Sequence, residues 1–406
     1  MALIVHKYGG SSVATPAHMK SVAERIVRAR KEGHDLVVVV SAPGDTTDEL
    51  IALARQITDS PDEREMDVLL ATGEQQSIAL LAIAIKDLGC DAISFTGPQV
   101  GIITDEFHGK ARIVRVGDEK IHKALKLGKI VIVAGFQGQT ADEDITTLGR
   151  GGSDLTAVAL ASALSADLCE FFKDVDGVFT ANPRMVPTAR KIAALSYEEM
   201  LEMASAGAQV LNARSVEFAK KNRVRIHVRS SLHDGQGTYI QEETAVMEDA
   251  LISGVTYSKD DCKLTVLGIK DKPGIAAAIF RPLAAAELNV DMIVQDVSEA
   301  GINNLSFTVG KSDLRKAREV LEKVAAELQA SGIHVDEAVA KVSVVGVGMR
   351  SHSGVAAQMF DALARNNVNI DMISTSEIKI SVVIPEKDVE TAVRAIHDQF
   401  KLGSAA

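Results

Sequence analysis

Five consecutive apolar residues, Leu36-Val37-Val38-Val39-Val40, lie within the stretch 35–41. A strand with one face in water alternates apolar and polar residues, whereas an unbroken apolar run is typical of a strand covered on both faces. The run therefore predicts an inner strand of a largely parallel sheet, with helices packed above and below it.

Strands and amphipathic helices alternate around this run through about the first 240 residues, which is the pattern of an α/β fold with a mainly parallel sheet. The predicted strands are residues 2–7, 35–41, 91–96, 130–135, 167–173 and 224–229. The predicted helices are residues 15–32, 48–58, 65–88, 153–164 and 197–205.

The C-terminal part contains an internal repeat with a period of 80 residues. Asn289-Val290-Asp291-Met292-Ile293 recurs as Asn369-Ile370-Asp371-Met372-Ile373, and Gly274 recurs as Gly354. A register this regular indicates two copies of one module. Each copy has the pattern β-α-β-β-α, and the first copy continues into a fourth strand at residues 334–339.

The second copy, which starts with a strand at residues 342–348, has too little chain after it for a fourth strand, whereas residues 251–258 form a strand without a partner. Because an unpaired sheet edge is unfavourable, we expect residues 251–258 to complete the second module, with the first module inserted. The predicted domains are residues 1–245, then 263–340, then 247–262 together with 341–406. The acidic stretch at 241–249 is interpreted as a linker.

The composition excludes several classes of protein. There are 44 Lys and Arg against 55 Asp and Glu, a net charge of −11, which argues against a nucleic-acid partner. No uncharged apolar run approaches the roughly 18–20 residues of a membrane span, and no secretory signal is evident. Three widely spaced cysteines form no disulfide or zinc pattern, and the histidines form no metal-ligand cluster, so we expect no bound metal and a cytoplasmic location.

Three glycine-containing turns lie near strand ends, where ligands bind in α/β proteins. They are Lys7-Tyr8-Gly9-Gly10-Ser11-Ser12, Leu148-Gly149-Arg150-Gly151-Gly152-Ser153-Asp154 and Lys173-Asp174-Val175-Asp176-Gly177. Each has a simpler interpretation as a plain turn or a helix N-cap. Together with Thr72-Gly73-Glu74, which begins or interrupts a helix, they indicate phosphoryl transfer between a nucleotide and a small anion.

These motifs, with Ser41-Ala42 and Thr46-Thr47-Asp48, together resemble the aspartate kinase family, and the tail resembles its paired ACT modules. The resemblance implies a three-layer amino-acid-kinase domain followed by two ferredoxin-like (βαββαβ) ACT modules. It implies phosphoryl transfer from ATP, with Mg²⁺, to the side-chain carboxylate of L-aspartate. This reaction gives 4-phospho-L-aspartate, the first step towards lysine, threonine and methionine.

The resemblance also implies the roles of individual residues. Lys7 would stabilise the transferring phosphoryl group, and Asp154 would orient Lys7. Arg150 would bind the α-carboxylate of aspartate and Glu74 its ammonium group. The remaining aspartate-site residues would be Ser41, Thr47 and Ser153, and the remaining nucleotide-site residues would be Gly9, Gly10, Lys173, Asp174, Phe179, Arg184 and Gln209.

Several positions depart from the family pattern on the nucleotide side. The family commonly has Ser or Thr at Lys173, Tyr at Phe179, Asp at Asn182 and Lys at Gln209. The loss of a lysine at Gln209 should weaken phosphate binding, and Lys173 could restore a charge nearby. These departures leave open an alternative, in which the chain is an amino-acid-sensing regulatory subunit with a weakened kinase site.

The repeated glycine turns before helices in the two modules predict sites for lysine, threonine or both, formed where modules of two chains meet. The simpler interpretation is that Gly274 and Gly354 only shape these turns. The predicted effector-site residues are Lys272, Pro273, Gly274, Ile275, Ala276, Asp291, Gln295, Asp296, Ser353, Gly354, Val355, Asn369, Ile370, Ser376 and Glu377. We therefore expect a homo-oligomer assembled through the ACT modules. Met247 could start a separate, shorter regulatory chain.

Overall fold

The computed structural model describes residues 2–244, 251–296 and 301–403. Met247 and the end of the predicted linker lie outside the described residues. The chain divides into two compact units. The first comprises Met1–Val178, Lys191–Ala204 and Gln209–Thr244, and the second comprises Phe179–Arg190, Ser205–Ala208 and Ala245–Ala406.

The first unit is an α/β domain. Its strands are β1 (Leu3–Tyr8), β2 (Asp35–Val40), β3 (Ala92–Phe95), β4 (Ile103–Thr104), β5 (Ile113–Arg115), β6 (Ile130–Ala134), β7 (Gln137–Gln139), β8 (Ile145–Thr147), β9 (Leu168–Lys173), β10 (Ala194–Ser196), β11 (Ile226–Ser230) and β12 (Thr238–Gln241). Its helices are α1 (Pro16–Lys31), α2 (Thr46–Arg55), α3 (Glu63–Asp87), α4 (Glu119–Lys126), α5 (Gly152–Ala163), α6 (Tyr197–Ser205) and α7 (Ala213–Asn222).

Eight strands form the main sheet in the order β10-β12-β11-β9-β1-β2-β6-β3. All neighbours in it are parallel except β11 and β12. Strand β2 lies inside the sheet, and every residue from Leu36 to Val40 is inaccessible to solvent. The α/β fold class and the two-sided burial of this strand are therefore confirmed.

Helix α3 supplies much of the core and differs from its prediction. It runs unbroken from Glu63 to Asp87, so Thr72-Gly73-Glu74 lies inside the helix and neither begins nor interrupts it. Asp62 caps its first turn by accepting hydrogen bonds from two backbone N–H groups. The helix is long and apolar enough to cross a membrane, but its Leu81 and Ile85 side chains are buried in the core of the first unit.

A second, smaller sheet and two helices were not predicted from the sequence. The sheet has the strand order β5-β4-β7-β8, and its strands are only two or three residues long. Runs this short have no measurable periodicity. The unpredicted helices are α4 and α7.

The second unit contains two four-stranded antiparallel sheets with helices. Its strands are β13 (Gly254–Ser258), β14 (Asp261–Lys270), β15 (Ile293–Gln295), β16 (Ile302–Gly310), β17 (Gly332–Asp336), β18 (Val339–Val345), β19 (Met372–Thr375) and β20 (Lys379–Pro385). Its helices are α8 (Ile275–Ala285), α9 (Leu314–Glu327), α10 (Val355–Arg365) and α11 (Val389–Gln399). The sheet orders are β15-β16-β14-β17 and β13-β18-β20-β19.

Strand β13 pairs antiparallel with β18, so the strand before the first module lies at the edge of the second module's sheet. Two predicted strands had the wrong first and last residues. Residues 334–339 and 342–348 were predicted as strands, whereas β17 ends at Asp336 and β18 ends at Val345. Gly348 lies in a short 3₁₀ turn after β18.

The segment Phe179–Arg190 packs with the second module, although the sequence placed it within residues 1–245. Its Ala181 and Val186 side chains belong to the core formed by Val342 and Ile384. Val255 donates its backbone N–H to the Thr180 carbonyl oxygen at 2.7 Å. A segment without regular secondary structure shows no pattern from which this packing could be predicted.

Candidate active site

Two lysines share one buried carboxylate at the carboxyl end of the main sheet. Lys7 lies near the end of β1, and Lys173 is the last residue of the adjacent strand β9. The Lys7 Nζ is 2.7 Å from Asp154 Oδ1, and the Lys173 Nζ is 3.0 Å from Asp154 Oδ2. Asp154 lies in the first turn of α5, where the helix dipole also favours a negative charge.

Burial and charge act against each other in this cluster. Burial opposes the ionisation of Asp154, but the ammonium groups of Lys173 and Lys7 outweigh it and lower the Asp154 pKa to about 2. Burial lowers the pKa of Lys7; Asp154 opposes that effect and Lys173 adds to it. The cluster is a buried carboxylate that lies between two lysine side chains.

Glu74 contributes a buried carboxyl group with one unpartnered oxygen. Its Oε1 accepts a hydrogen bond from the Ala42 backbone N–H at 3.0 Å. Its Oε2 is buried without a hydrogen-bond partner among the described residues. Burial raises the pKa of Glu74 to about 7. An oxygen in this position can accept a hydrogen bond from a cationic ligand group.

Glycine is required where α3 and the turn after β1 approach the loop that follows β2. A Cβ at Gly73 would lie 2.8 Å from the Ala42 Cβ, and a Cβ at Gly10 would lie 2.8 Å from the Ala42 carbonyl oxygen. Ser77 also donates its hydroxyl to the Ser41 carbonyl oxygen at 2.7 Å. These contacts fix the loop that carries Ser41 and leads to Thr47 in α2.

The turn before α5 presents Arg150 to solvent and buries Ser153. Gly149 and Gly151 flank Arg150 with φ values of 73° and 72°, which an L side chain rarely adopts. Asn212 donates its side-chain amide to the Arg150 carbonyl oxygen at 3.2 Å. The backbone of the turn is thus held while the guanidinium extends outward.

Asp67 is a further residue that holds this turn, and it was not predicted from the sequence. Its fully buried carboxylate accepts hydrogen bonds from the Thr147 hydroxyl at 2.5 Å and the Gly109 backbone N–H at 3.0 Å. His108 Nδ1 is 2.8 Å from the same carboxylate. Arg214 of α7 holds the next residue, because it donates to the Leu148 carbonyl oxygen at 2.8 Å. Asp67 and Arg214 therefore fix two adjacent residues, Thr147 and Leu148, at the start of the turn that carries Arg150.

The residues predicted to contact the nucleotide fall in both units. Gly9, Gly10, Lys173, Asp174 and Gln209 belong to the first unit, and both Asp174 and Gln209 are exposed. Phe179 and Arg184 belong to the segment Phe179–Arg190 of the second unit. Arg184 is exposed, and its backbone N–H donates to the Asn182 side chain at 2.9 Å.

Comparisons with known proteins identify the family of this chain. A sequence model of the amino acid kinase family matches residues 2–230, and an ACT domain model matches residues 264–324 and 342–400. Aspartokinase from Corynebacterium glutamicum is 53% identical over 408 residues, which cover 99% of this chain and 97% of the relative. The chain belongs to the aspartate kinase family. The predicted kinase domain and ACT modules are confirmed by these matches.

Two structures of an aspartate kinase from E. coli are also similar. Aspartokinase III in complex with aspartate and ADP, described as the R-state, is 25% identical with a TM-score of 0.84, and the match covers 98% of this chain and 99% of that one. The same enzyme with lysine and aspartate, described as the T-state, has a TM-score of 0.76 at 25% identity, with the same coverage. This chain is thus an enzyme of the same family.

The predicted effector residues lie in the second unit. Gly274 and Gly354 precede α8 and α10 with φ values of 91° and 90°. Ile275 and Val355, the first residues of these helices, are buried, so only their backbone groups could face a ligand. Asp291 already has a cationic partner, because the Lys341 Nζ is 2.5 Å from its carboxylate.

The other predicted effector residues are placed as follows. The exposed residues are Lys272, Pro273, Gln295, Asp296, Ser353, Asn369, Ser376 and Glu377, whereas Ala276 and Ile370 are half-buried. Asn369 donates its side-chain amide to Asp371 at 3.1 Å, and Ser376 donates its backbone N–H to the Lys379 carbonyl oxygen at 2.8 Å.

Proposed function

We propose that this enzyme transfers the γ-phosphoryl group of ATP to the side-chain carboxylate of L-aspartate, giving 4-phospho-L-aspartate and ADP. The observation that carries the proposal is the ion pair between Lys7 and Asp154 at the carboxyl end of β1. Phosphoryl transfer needs positioned charge more than acid–base chemistry. The nucleophile is the substrate's carboxylate, which is ionised at neutral pH.

Aspartate binding is assigned to residues on three elements of the first unit. The Arg150 guanidinium takes the α-carboxylate, since its planar fork matches a carboxylate. The unpartnered Glu74 Oε2 takes the ammonium group. Ser41, Thr47 and Ser153 supply the remaining polar contacts. The E. coli relative, whose structure contains aspartate and ADP, supports this substrate pair.

ATP enters as its magnesium complex. Magnesium commonly binds through substrate phosphates and retained waters, so it needs few protein ligands. We assign the nucleotide to Gly9, Gly10, Lys173, Asp174 and Gln209 of the first unit, with Lys7 at the transferred phosphoryl group. The roles of Phe179 and Arg184 stay predictions. Lys7 stabilises the charge on that group, and Asp154 holds its ammonium in place.

Lysine, threonine or both are the proposed effectors, and the E. coli relative is described in complex with lysine. The proposed oligomer forms between ACT modules of two chains, and the proposed shorter regulatory chain starts near Met247. The domain boundaries 1–245, 263–340 and 247–262 with 341–406 stay predictions. The three free cysteines accord with the proposed cytoplasmic location in a pathway towards lysine, threonine and methionine.

An assay of aspartate-dependent ADP release, with hydroxylamine trapping of the acyl phosphate, tests this function. We expect equal amounts of ADP and aspartate hydroxamate, and a loss of both by about 100-fold or more in the Lys7→Ala variant. A properly folded chain that releases no ADP but binds lysine or threonine would favour the alternative, a regulatory subunit with a weakened kinase site.

A further inference from the structure

Lys173 gives the active site one more positive charge than its carboxylate can neutralise. Its Nζ is 3.0 Å from Asp154 Oδ2, while the Lys7 Nζ takes the other oxygen. The Lys173 side chain is mostly buried, and its Nζ is 5.8 Å from the centroid of the Phe171 ring. Asp154 is the only ion-pair partner of either lysine within the described ranges 2–244, 251–296 and 301–403.

The next carboxyl group that influences Lys7 is Glu74 of α3. Because the pKa of Glu74 is about 7, this group carries only part of a negative charge near neutral pH. A buried excess of positive charge is costly in the absence of an anion. Such an arrangement is expected where an anionic ligand supplies the missing charge.

We infer that Lys173 is a second cation for the transferred phosphoryl group, held beside Lys7 by their shared carboxylate. This inference rests on the proposed function and assigns a role to a position that is not a lysine in the family pattern. On ATP binding, the Lys173 ammonium exchanges part of its contact with Asp154 for the phosphate oxygens. Asp154 keeps both ammonium groups at the carboxyl ends of β1 and β9.

The chemistry of the step explains the value of two cations. An oxygen of the substrate carboxylate forms a bond to the γ-phosphorus, and the bond from that phosphorus to the bridging oxygen breaks. The bonding electron pair leaves with ADP, and no proton is transferred. Negative charge is spread over the equatorial oxygens during transfer, where two fixed ammonium groups stabilise it with little reorganisation.

The position of Lys173 also affects Lys7 directly. Three groups from three elements act on the Lys7 ammonium, namely Asp154 from α5, Lys173 from β9 and Glu74 from α3. Burial lowers the pKa of Lys7, and Lys173 lowers it further by charge repulsion. Removal of Lys173 should therefore raise the pKa of Lys7.

The test compares Lys173→Met and Lys173→Arg with the wild-type enzyme. Lys129→Met is the matched control, since Lys129 forms an ion pair with Asp91 at 3.2 Å at the amino end of the same sheet. We expect Lys173→Met to lower kcat/KM for ATP about 100-fold, as loss of one transition-state contact does. Lys173→Arg should recover part of that loss, and KM for aspartate should change little.

Two further readouts separate a role in phosphate binding from a structural one. The affinity lost in Lys173→Met, measured by calorimetry, should grow from AMP to ADP to a non-hydrolysable ATP analogue. In Lys173→Met, the alkaline limb of the pH profile of kcat/KM for ATP should move to higher pH, because the pKa of Lys7 rises. These measurements use the full chain, and thermal unfolding of each variant reports whether it folds.

The inference is overturned if folded Lys173→Met behaves like Lys129→Met, or if it loses affinity equally for AMP and the ATP analogue. Either result leaves the proposed function standing when the wild type still forms aspartate hydroxamate. A wild type without turnover contradicts the proposed function instead, and the nucleotide affinities then still decide whether Lys173 binds phosphate.

Discussion

Asp67 and Glu74 lie seven residues apart on α3, and both carboxyl groups are buried on the same face of that helix. Asp67 holds the turn that carries Arg150, through Thr147 and Gly109. Glu74 directs an unpartnered oxygen to the proposed ammonium site. One rigid helix therefore fixes the two ends of the proposed aspartate site relative to each other.

The first prediction concerns the pH dependence of aspartate binding. Glu74 binds the substrate ammonium only when ionised, and its pKa is about 7. We expect kcat/KM for aspartate to fall about tenfold for each pH unit well below 7. Steady-state rates between acidic and neutral pH measure this. Glu74→Gln should raise KM and remove the inflection; an inflection that survives in Glu74→Gln would assign it to another group.

The second prediction concerns Asp67→Asn. The amide loses the charge that strengthens the hydrogen bonds from Thr147 and Gly109, so we expect the free energy of unfolding to fall by about 2–3 kcal/mol. KM for aspartate should rise more than KM for ATP, because the Arg150 turn loosens. Denaturant unfolding and kinetics measure both effects, with exposed Asp59→Asn as the control. Equal increases in the two KM values would argue against a positioning role.

The third prediction concerns Arg150→Lys. A lysine keeps the charge but loses the bidentate fork, so we expect KM for aspartate to rise about tenfold or more. KM for ATP should stay within about twofold of the wild type. Exposed Arg55→Lys provides a control for the same chemical change elsewhere. If KM for ATP changes as much as KM for aspartate, Arg150 belongs to another part of the site.

The fourth prediction concerns effector binding. We expect calorimetry to detect binding of lysine, threonine or both to the full chain, and binding to be weaker in Asp296→Ala. Asp361→Ala, an exposed substitution on α10, is the control. If neither lysine nor threonine binds or inhibits at millimolar concentration, the ACT modules serve oligomerisation and not effector binding. Inhibition requires an effector that prefers the less active arrangement.

Much of the framework could be predicted because it depends on local patterns. The apolar run at Leu36–Val40 specified a buried strand, and the repeat at Asn289 and Asn369 specified two similar modules. The contacts that complete the site join distant positions. Asp67 and Thr147 are 80 residues apart, and Arg214 is 66 residues from Leu148. A single sequence has no local pattern that reports such pairs.

One signal for Asp67 was nevertheless present. A helix with an apolar face that also carries Asp67 and Glu74 at a seven-residue interval places two carboxyl groups toward the core. Buried carboxylates need partners, so this interval indicates a functional or supporting role. The packing of Phe179–Arg190 with the second module has no comparable signal, because an irregular segment carries no periodicity.

The central claim is that phosphoryl transfer ends on the carboxylate of aspartate and depends on the Lys7 ammonium. Hydroxylamine trapping, measured alongside ADP release on wild type and Lys7→Ala, tests it most directly. We predict equimolar ADP and aspartate hydroxamate from the wild type, and a loss of both by about 100-fold or more in a folded Lys7→Ala variant. ADP release without hydroxamate, or a Lys7→Ala variant that keeps most of its rate, would contradict the account.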